Sequence, residues 1–228
     1  DSSGSRGVSK IDSIEFLPEK IEEALRFSRA KRFIVEEYIE KKGYQIGGEC
    51  FFVKGEIKFV RLVNNHFQSN STDLTMPVGD SWPCNLPIFL QGKINSELQR
   101  LIELLNMKTG PLIFEALIDS MGNVYIIDIG VRNSGDLTQI IKQMEGIDLI
   151  EYTIKAALNE DCSDLVNIEP KGYVAVYTII NEKEGLFKYL EIEEGLRRNN
   201  IVETSLINIH SGSKVEKNRN LGTVLLKF

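Results

Sequence analysis

The chain has 228 residues, of which 42% are hydrophobic and 26% charged, and a net charge of −6. That is the composition of a globular protein long enough to bury a sizeable core, and without a dense Lys/Arg tract it disfavours nucleic acid or an anionic membrane as the main partner. Cys50, Cys84 and Cys162 are far apart and lack CxxC spacing, no apolar run reaches the length of a membrane span, and no signal peptide opens the chain; these features exclude a disulfide framework or zinc cluster and favour a reducing, cytoplasmic setting.

Residues 1–8 are rich in Ser and Gly and read equally as a disordered tail or a ligand-binding loop; with no initiator Met, the chain reads as a piece of a longer protein. A helix is predicted from Leu17, with Pro18 in its first turn and Leu17, Ile21, Ala24 and Leu25 along one face. Residues 33–39 read as a strand, followed by strands near 46–53 and 57–63 around a Lys54-Gly55-Glu56 turn. The polar stretch 64–91, with Pro77, Pro83 and Pro87, reads as a long surface excursion carrying His66 and Trp82. Ser96 and Gln99 make a capping-box pattern for a helix whose buried stripe is Leu98, Leu101, Ile102 and Leu105. Strands at 111–118 and 124–131 flank a turn at 119–123, helices follow at 136–145 and 148–158 with Gly146 between them, and 159–170 reads as a polar linker. Strands at 173–180, 201–209 and 222–228 close the chain, and the class is α+β.

The chemistry-bearing feature is a pair of acids inside apolar strands, Glu115 and Asp128. A turn centred on Met121-Gly122 sets them opposite each other, and opposed residues share a sheet face with Cβ atoms roughly 5 Å apart. Two carboxylates that close repel unless a divalent cation lies between them, and oxygen ligands suit Mg²⁺. Arg132, just beyond Gly130, is placed to hold a phosphate or carboxylate. The alternative is that both acids are solvated positions on amphipathic strands, with Arg132 as their ion-pair partner. Spacing alone does not separate the two.

The segment 110–115, Gly-Pro-Leu-Ile-Phe-Glu, followed by 122–135, Gly-Asn-Val-Tyr-Ile-Ile-Asp-Ile-Gly-Val-Arg-Asn-Ser-Gly, resembles the signature of ATP-grasp enzymes, a family that includes biotin carboxylase, carbamoyl-phosphate synthetase and amino-acid ligases. Residues 2–8 resemble its phosphate-covering loop, 33–39 its adenine-holding hinge, and 221–224 its small β-rich lobe. The resemblance implies an ATP-grasp fold with a partial lid at 1–39, a catalytic core at 40–160 and a β-rich C-terminal lobe at 165–228. It implies ATP and Mg²⁺ (or Mn²⁺) as cofactors and small-molecule carboxylate and amine (or thiol) substrates joined through an acyl phosphate, with a homodimer as an admissible assembly. Backbone groups of Ser3, Gly4, Ser5 and Gly7 would cradle phosphates. Backbone groups of Glu37 and Ile39 would hold adenine, with Glu36 or Glu37 at its amino group or the ribose and Tyr38 in the same hinge. Glu115 and Asp128 would carry the metal, and Arg132 would be the catalytic charge stabiliser.

The sequence departs from the family pattern in four places. Gly130 stands where the family has a metal-binding Asn, leaving water or Asn133 as the replacement, and Asp128 replaces the commoner Glu. Gly43 falls where a post-hinge Glu is expected, and a phosphate-binding Lys would precede Asp1. The chain alone is therefore expected to be inactive. Two rival readings are a catalytically weakened nucleotide-binding or scaffold domain of the same fold, and a sugar- or peptide-modifying accessory protein without ATP.

Overall fold

Residues 6–68, 77–168, 172–217 and 219–228 are described by the computed structural model. The chain divides into two units, Asp1–Glu40 and Lys41–Phe228. In the first, α1 (Leu17–Phe27) follows a single 3-10 turn, Ile14–Phe16. Pro18 sits in the first turn of α1, where a missing N–H costs nothing. Residues 33–39, expected as a strand, make no strand pairing among the described residues. β-branched and apolar residues favour a strand only where a neighbouring strand offers them a surface to pack on.

The second unit begins with β1 (Gln45–Val53) and β2 (Glu56–Phe67), joined through Lys54 and Gly55, both at positive φ. Two positive-φ residues make the tight turn whose twist matches that of the flanking strands. The stretch expected to be a long excursion is largely regular instead. β2 continues to Phe67, β3 (Pro77–Trp82) pairs back onto it from Asn64 to Phe67, and residues 69–76 lie outside the described residues. Its polar residues Asn64, Asn65, Asp80 and Ser81 pair across the strands, which is why their polarity does not mark a loop.

Next, α2 (Ile88–Leu104) starts well before the expected capping box. Ser96 lies in its interior, donating to Gly92 O at 3.0 Å, and Gln99 serves the β1–β2 hairpin by accepting from Ile57 N at 3.1 Å and donating to Gly55 O at 2.8 Å. β4 (Gly110–Ile118) and β5 (Val124–Gly130) follow, then α3 (Asp136–Glu145) and α4 (Leu149–Ala157). Gly146 ends α3 in the left-handed region at φ 73°, and Asp148 caps α4 by accepting from Ile150 N and Glu151 N. The tail supplies β6 (Val174–Ile180), β7 (Gly185–Leu186), α5 (Glu194–Asn199), β8 (Ile201–Leu206), β9 (Lys214–Val215) and β10 (Asn220–Lys227).

Eight strands form one antiparallel sheet in the order β5-β4-β1-β2-β3-β6-β10-β8, and β7 pairs with β9 apart from it. Alternation along the strands directs side chains to two faces. One face carries Phe51, Phe59, Val63, Val176 and Leu225, packed beneath Leu137, Ile140 and Ile141 of α3 and Leu149 of α4. The other carries Ile46, Cys50, Leu62, Leu112, Phe114 and Ala116 beneath Ile94, Leu98 and Ile102 of α2.

A buried ion pair fastens α3. Arg61 of β2 donates to Glu145 through Nε (2.6 Å) and Nη2 (2.5 Å), to Asn167 Oδ1 (2.5 Å), and to the carbonyls of Val60 and Ile168. Its guanidinium also lies 4.5 Å from the Phe59 ring centroid.

Candidate functional site

The face that buries α3 and α4 turns polar toward one end of its strands. Gln45 on β1 stands opposite Asn65 on β2, and Asn65 opposite Asp80 on β3. Gly47 stands opposite Glu115 on β4, and Glu115 opposite Asp128 on β5. Asn65 Nδ2 donates to Asp80 Oδ1 at 2.6 Å, and Gln45 Nε2 donates to Glu115 Oε2 at 2.7 Å. The row thus spans five adjacent strands.

The Glu115–Asp128 register has a cause the alternation of residues did not reveal. Next to the turn, Ile118 pairs with Val124, Leu117 with Tyr125 and Ala116 with Ile126. Continued regularly, that register would set Glu115 against Ile127. A bulge between Glu115 and Ala116 shifts the pairing by one and brings Asp128 opposite Glu115. Asp119 organises the turn itself, with Oδ1 accepting from Met121 N and Asn123 N, each at 2.9 Å, and Oδ2 accepting from Asn123 Nδ2 at 2.8 Å.

Both acids are exposed to solvent. Glu115 lies within β4 and Asp128 two residues before the end of β5, on a stretch of the face that carries the polar side chains Gln45, Asn65 and Asp80. Neighbouring protein still reduces the hydration of Glu115, and this, with the negative charges of Asp128 and then Asp80, raises its pKa. Asp80 is raised too, chiefly by desolvation, with Asp136 adding to the effect and Asn65 and His66 opposing it. Desolvation also raises Asp136, in the first turn of α3. Four carboxylates therefore converge on one polar surface.

That surface fits a divalent cation chemically, because its donors are carboxylate oxygens whose negative charges help to raise the pKa of Glu115 and Asp80. Among the described residues no group of three or more His, Cys, Asp or Glu is placed to hold a metal. Glu115 and Asp128 would thus supply two side chains, leaving water and phosphate oxygens to complete a Mg²⁺ shell.

Gly130 lies opposite Ile113, and a Cβ built on it would stand 2.9 Å from Ile113 Cγ1. Ile113 fills the space that a side chain at 130 would need. Asn133 does not take over the ligand role suggested for it. Its Nδ2 donates to Glu49 Oε1 at 2.9 Å, and its Oδ1 accepts from Thr153 Oγ1 at 2.7 Å. Arg132 is exposed in the loop after β5, its Nη1 donating to Asn133 O at 3.0 Å.

The remaining residues read as functional lie in the first unit. Ser3, Gly4 and Ser5 fall outside the described residues. Gly7 occupies a turn at φ 76° that packs on Ala24 of α1. Glu36, Glu37, Tyr38 and Ile39 run through the stretch without strand pairing, where Lys10 Nζ lies 4.4 Å from the Tyr38 ring centroid.

Sequence reading missed Gln45, Glu49, Asn65, Asp80 and Asp136. Glu49 had a signal, a lone acid in the run Gly47-Gly48-Glu49-Cys50-Phe51-Phe52. Asp80 had none, since Gly79-Asp80-Ser81 reads locally as a turn. A surface groove of about 530 Å³ lies on the other side of the sheet between β2 and α2, lined by Lys58, Gln99 and Arg100 among others, and contains none of these acids.

No protein-family model matches the chain, and no curated protein matches its sequence. Solved structures do match. The chain is similar to phosphoribosylglycinamide synthetase from Anaerococcus prevotii at 21% identity and TM-score 0.68, over 94% of this chain and 55% of that one. It is similar to an L-amino acid ligase from Bacillus licheniformis at 19% identity and TM-score 0.69, over 83% and 49%. It is similar to the biotin carboxylase domain of Hydrogenobacter thermophilus 2-oxoglutarate carboxylase at 17% identity and TM-score 0.74, over 100% and 51%, a structure solved with MgADP, ADP and bicarbonate. The chain spans about half the length of these proteins. With its eight-stranded antiparallel sheet, its helices on both faces and these likenesses, the chain has the ATP-grasp fold.

Proposed function

We propose that this chain is the nucleotide- and metal-binding part of an ATP-dependent ligase that joins a small-molecule carboxylate to an amine or thiol through an acyl phosphate. The observation that carries the reading is the juxtaposition of Glu115 and Asp128 across β4 and β5, on a polar face shared with Asp80 and Asp136. Glu115 and Asp128 would hold Mg²⁺ or Mn²⁺, which supplies charge neutralisation at the phosphates when bound. Arg132 reaches from the adjoining loop to a phosphate or substrate carboxylate, where a guanidinium can bind two oxygens at once. The same reading assigns the adenosine to Glu36, Glu37, Tyr38 and Ile39, and the phosphates to backbone N–H groups of Ser3, Gly4, Ser5 and Gly7, the first three of which lie outside the described residues.

Calorimetric titration of the intact protein with MgATP and MgADP, followed by ADP and phosphate release over a panel of carboxylates and amines, tests this reading. Glu115→Gln and Asp128→Asn are expected to abolish turnover without a large change in melting temperature. Wild-type rates in both variants would remove the metal role, and absence of Mg²⁺-dependent nucleotide binding would overturn the reading as a whole.

One observation favours a second reading. Ile113 occupies the space beside Gly130, so the metal site lacks a side chain at that position. A nucleotide-binding or scaffold domain without turnover would bind MgATP and release no ADP with any substrate pair.

A further inference from the structure

Among the described residues Glu49 is the one acidic side chain that is fully buried, at 0% exposure, and the ligase reading gives it no role. It sits at the centre of β1, opposite Arg61 of β2 on one side and Ile113 of β4 on the other. Arg61 turns away to Glu145. The carboxyl of Glu49 instead meets the loop that carries Arg132. Asn133 Nδ2 donates to Oε1 at 2.9 Å and Ser134 N–H to the same oxygen at 3.3 Å. Thr138 Oγ1, buried in α3, lies 3.0 Å from Oε1 and 2.8 Å from Oε2.

Counting protons decides the state of this network. Thr138 has one hydroxyl proton, and its oxygen lies 2.6 Å from Ser134 O and 2.8 Å from Glu49 Oε2, so the proton serves only one of them. The shorter contact, to the Ser134 carbonyl one helical turn back, takes it. The hydroxyl then presents a lone pair to Glu49 Oε2, and an ionised carboxylate has nothing to donate to it. A neutral carboxylic acid does, with its O–H on Oε2 donating to Thr138 while Oε1 accepts from Asn133 and Ser134. Every group is then satisfied, as burial demands.

Resting on the assignment of Arg132 given above, we propose that Glu49 is a positioning residue, held as a neutral carboxylic acid, that anchors the 131–135 loop to the sheet and so sets Arg132 in place. Desolvation raises its pKa, against the lowering effects of its hydrogen bonds with Asn133, Thr138 and Ser134 and of the Arg132 charge. The charged groups facing it are Arg132 from the loop and Arg61 from β2, the latter already paired with Glu145; β4 presents Ile113, and α3 presents the Thr138 hydroxyl.

The test compares Glu49→Gln with Glu49→Ala in the intact protein. Glutamine has nearly the shape of the neutral acid, with one oxygen to accept and an NH₂ group of which one N–H donates to Thr138, so it keeps the network; alanine empties it. The first readout is difference infrared spectroscopy, in which wild type at neutral pH is expected to show a neutral-carboxyl C=O band that Glu49→Gln lacks. Hydrogen exchange of residues 131–135 is expected to match wild type in Glu49→Gln and to rise in Glu49→Ala. The third readout is the ratio of affinities for a non-hydrolysable ATP analogue and ADP. It is expected to fall about tenfold in Glu49→Ala and in Arg132→Ala, the value of one charge-assisted hydrogen bond, and to persist in Glu49→Gln. A merely structural role would weaken both nucleotides alike and leave the ratio unchanged. No neutral-carboxyl band, or Glu49→Gln behaving like Glu49→Ala, would overturn the proposal. Failure of wild type to bind nucleotide would instead overturn the ligase reading, while the band and the exchange still judge the role of Glu49.

Discussion

At position 130 a single missing side chain joins two effects. Gly130 offers no side chain as a candidate metal ligand, and Ile113 occupies the volume one would need, its Cγ1 2.9 Å from where a Cβ would be. Inserting an Asn alone is therefore an overpacking substitution, which costs about 1–3 kcal/mol. Gly130→Asn is expected to lower the melting temperature, and Gly130→Asn with Ile113→Ala to recover most of the loss. If the site binds metal, the double variant binds Mg²⁺–ADP more tightly than wild type in calorimetry. Equal stability of the single variant and wild type would show that Ile113 yields freely. Single positions explain the unequal legibility of the site as well. Glu115 and Asp128 stood out because a strand of apolar residues makes an acid conspicuous. Asp80 and Asn65 did not, because they sit among other polar residues and only their pairing across β2 and β3 gives them a shared face.

Two helices are held in place by charged side chains. The C-terminal turn of α3 is held to β2 by the Arg61–Glu145 pair, whose side chains are 7% and 4% exposed. Removing one partner of a buried pair leaves the other charge uncompensated, a loss of about 3–5 kcal/mol, whereas replacing both by apolar residues is far milder. Urea unfolding should thus show Arg61→Met and Glu145→Leu each strongly destabilising and the double variant well short of their sum; additive losses would mean the pair is not coupled. At the start of α4, Asp148 caps two backbone N–H groups and pairs with Lys142 at 2.5 Å. The Lys142 hydrogen bond is the main cause of its lowered pKa. A carboxylate lowered on folding adds stability that is present above its unfolded value, near 3.8, and is lost as pH falls below it. The ion pair is open to water and adds little, so the cap sets the size of the effect, about 0.5–2 kcal/mol. Asp148→Ala is expected to lower the melting temperature at neutral pH and to converge with wild type in strong acid. A gap independent of pH would refute the electrostatic part.

For the molecule as a whole, the second unit contains both hydrophobic cores and all ten strands found among the described residues. A chain of 41–228 is accordingly expected to fold alone, with a cooperative thermal transition and the β-rich circular dichroism of the eight-stranded sheet. Loss of the transition would mean that the first 40 residues complete a core. The α+β class, the paired strands 111–118 and 124–131, and the two helices after them were readable from the sequence, because apolar periodicity and glycine breaks are local signals. The sequence by itself also determined which residue types were available for phosphate and metal chemistry: two acids in apolar strands, with an Arg just beyond them. Tertiary structure alone decided that 77–82 is a strand and 33–39 is not, since strand formation depends on partners remote in the chain. The pairing of Glu115 with Asp128 was readable from the turn between their strands, but only the tertiary structure showed the bulge that makes it, since one bulged residue resets a register whose period is two. And tertiary structure alone brought Glu49 beneath the Arg132 loop, because β1 lies far from that loop in sequence and adjoins it only once β4 and α3 have packed.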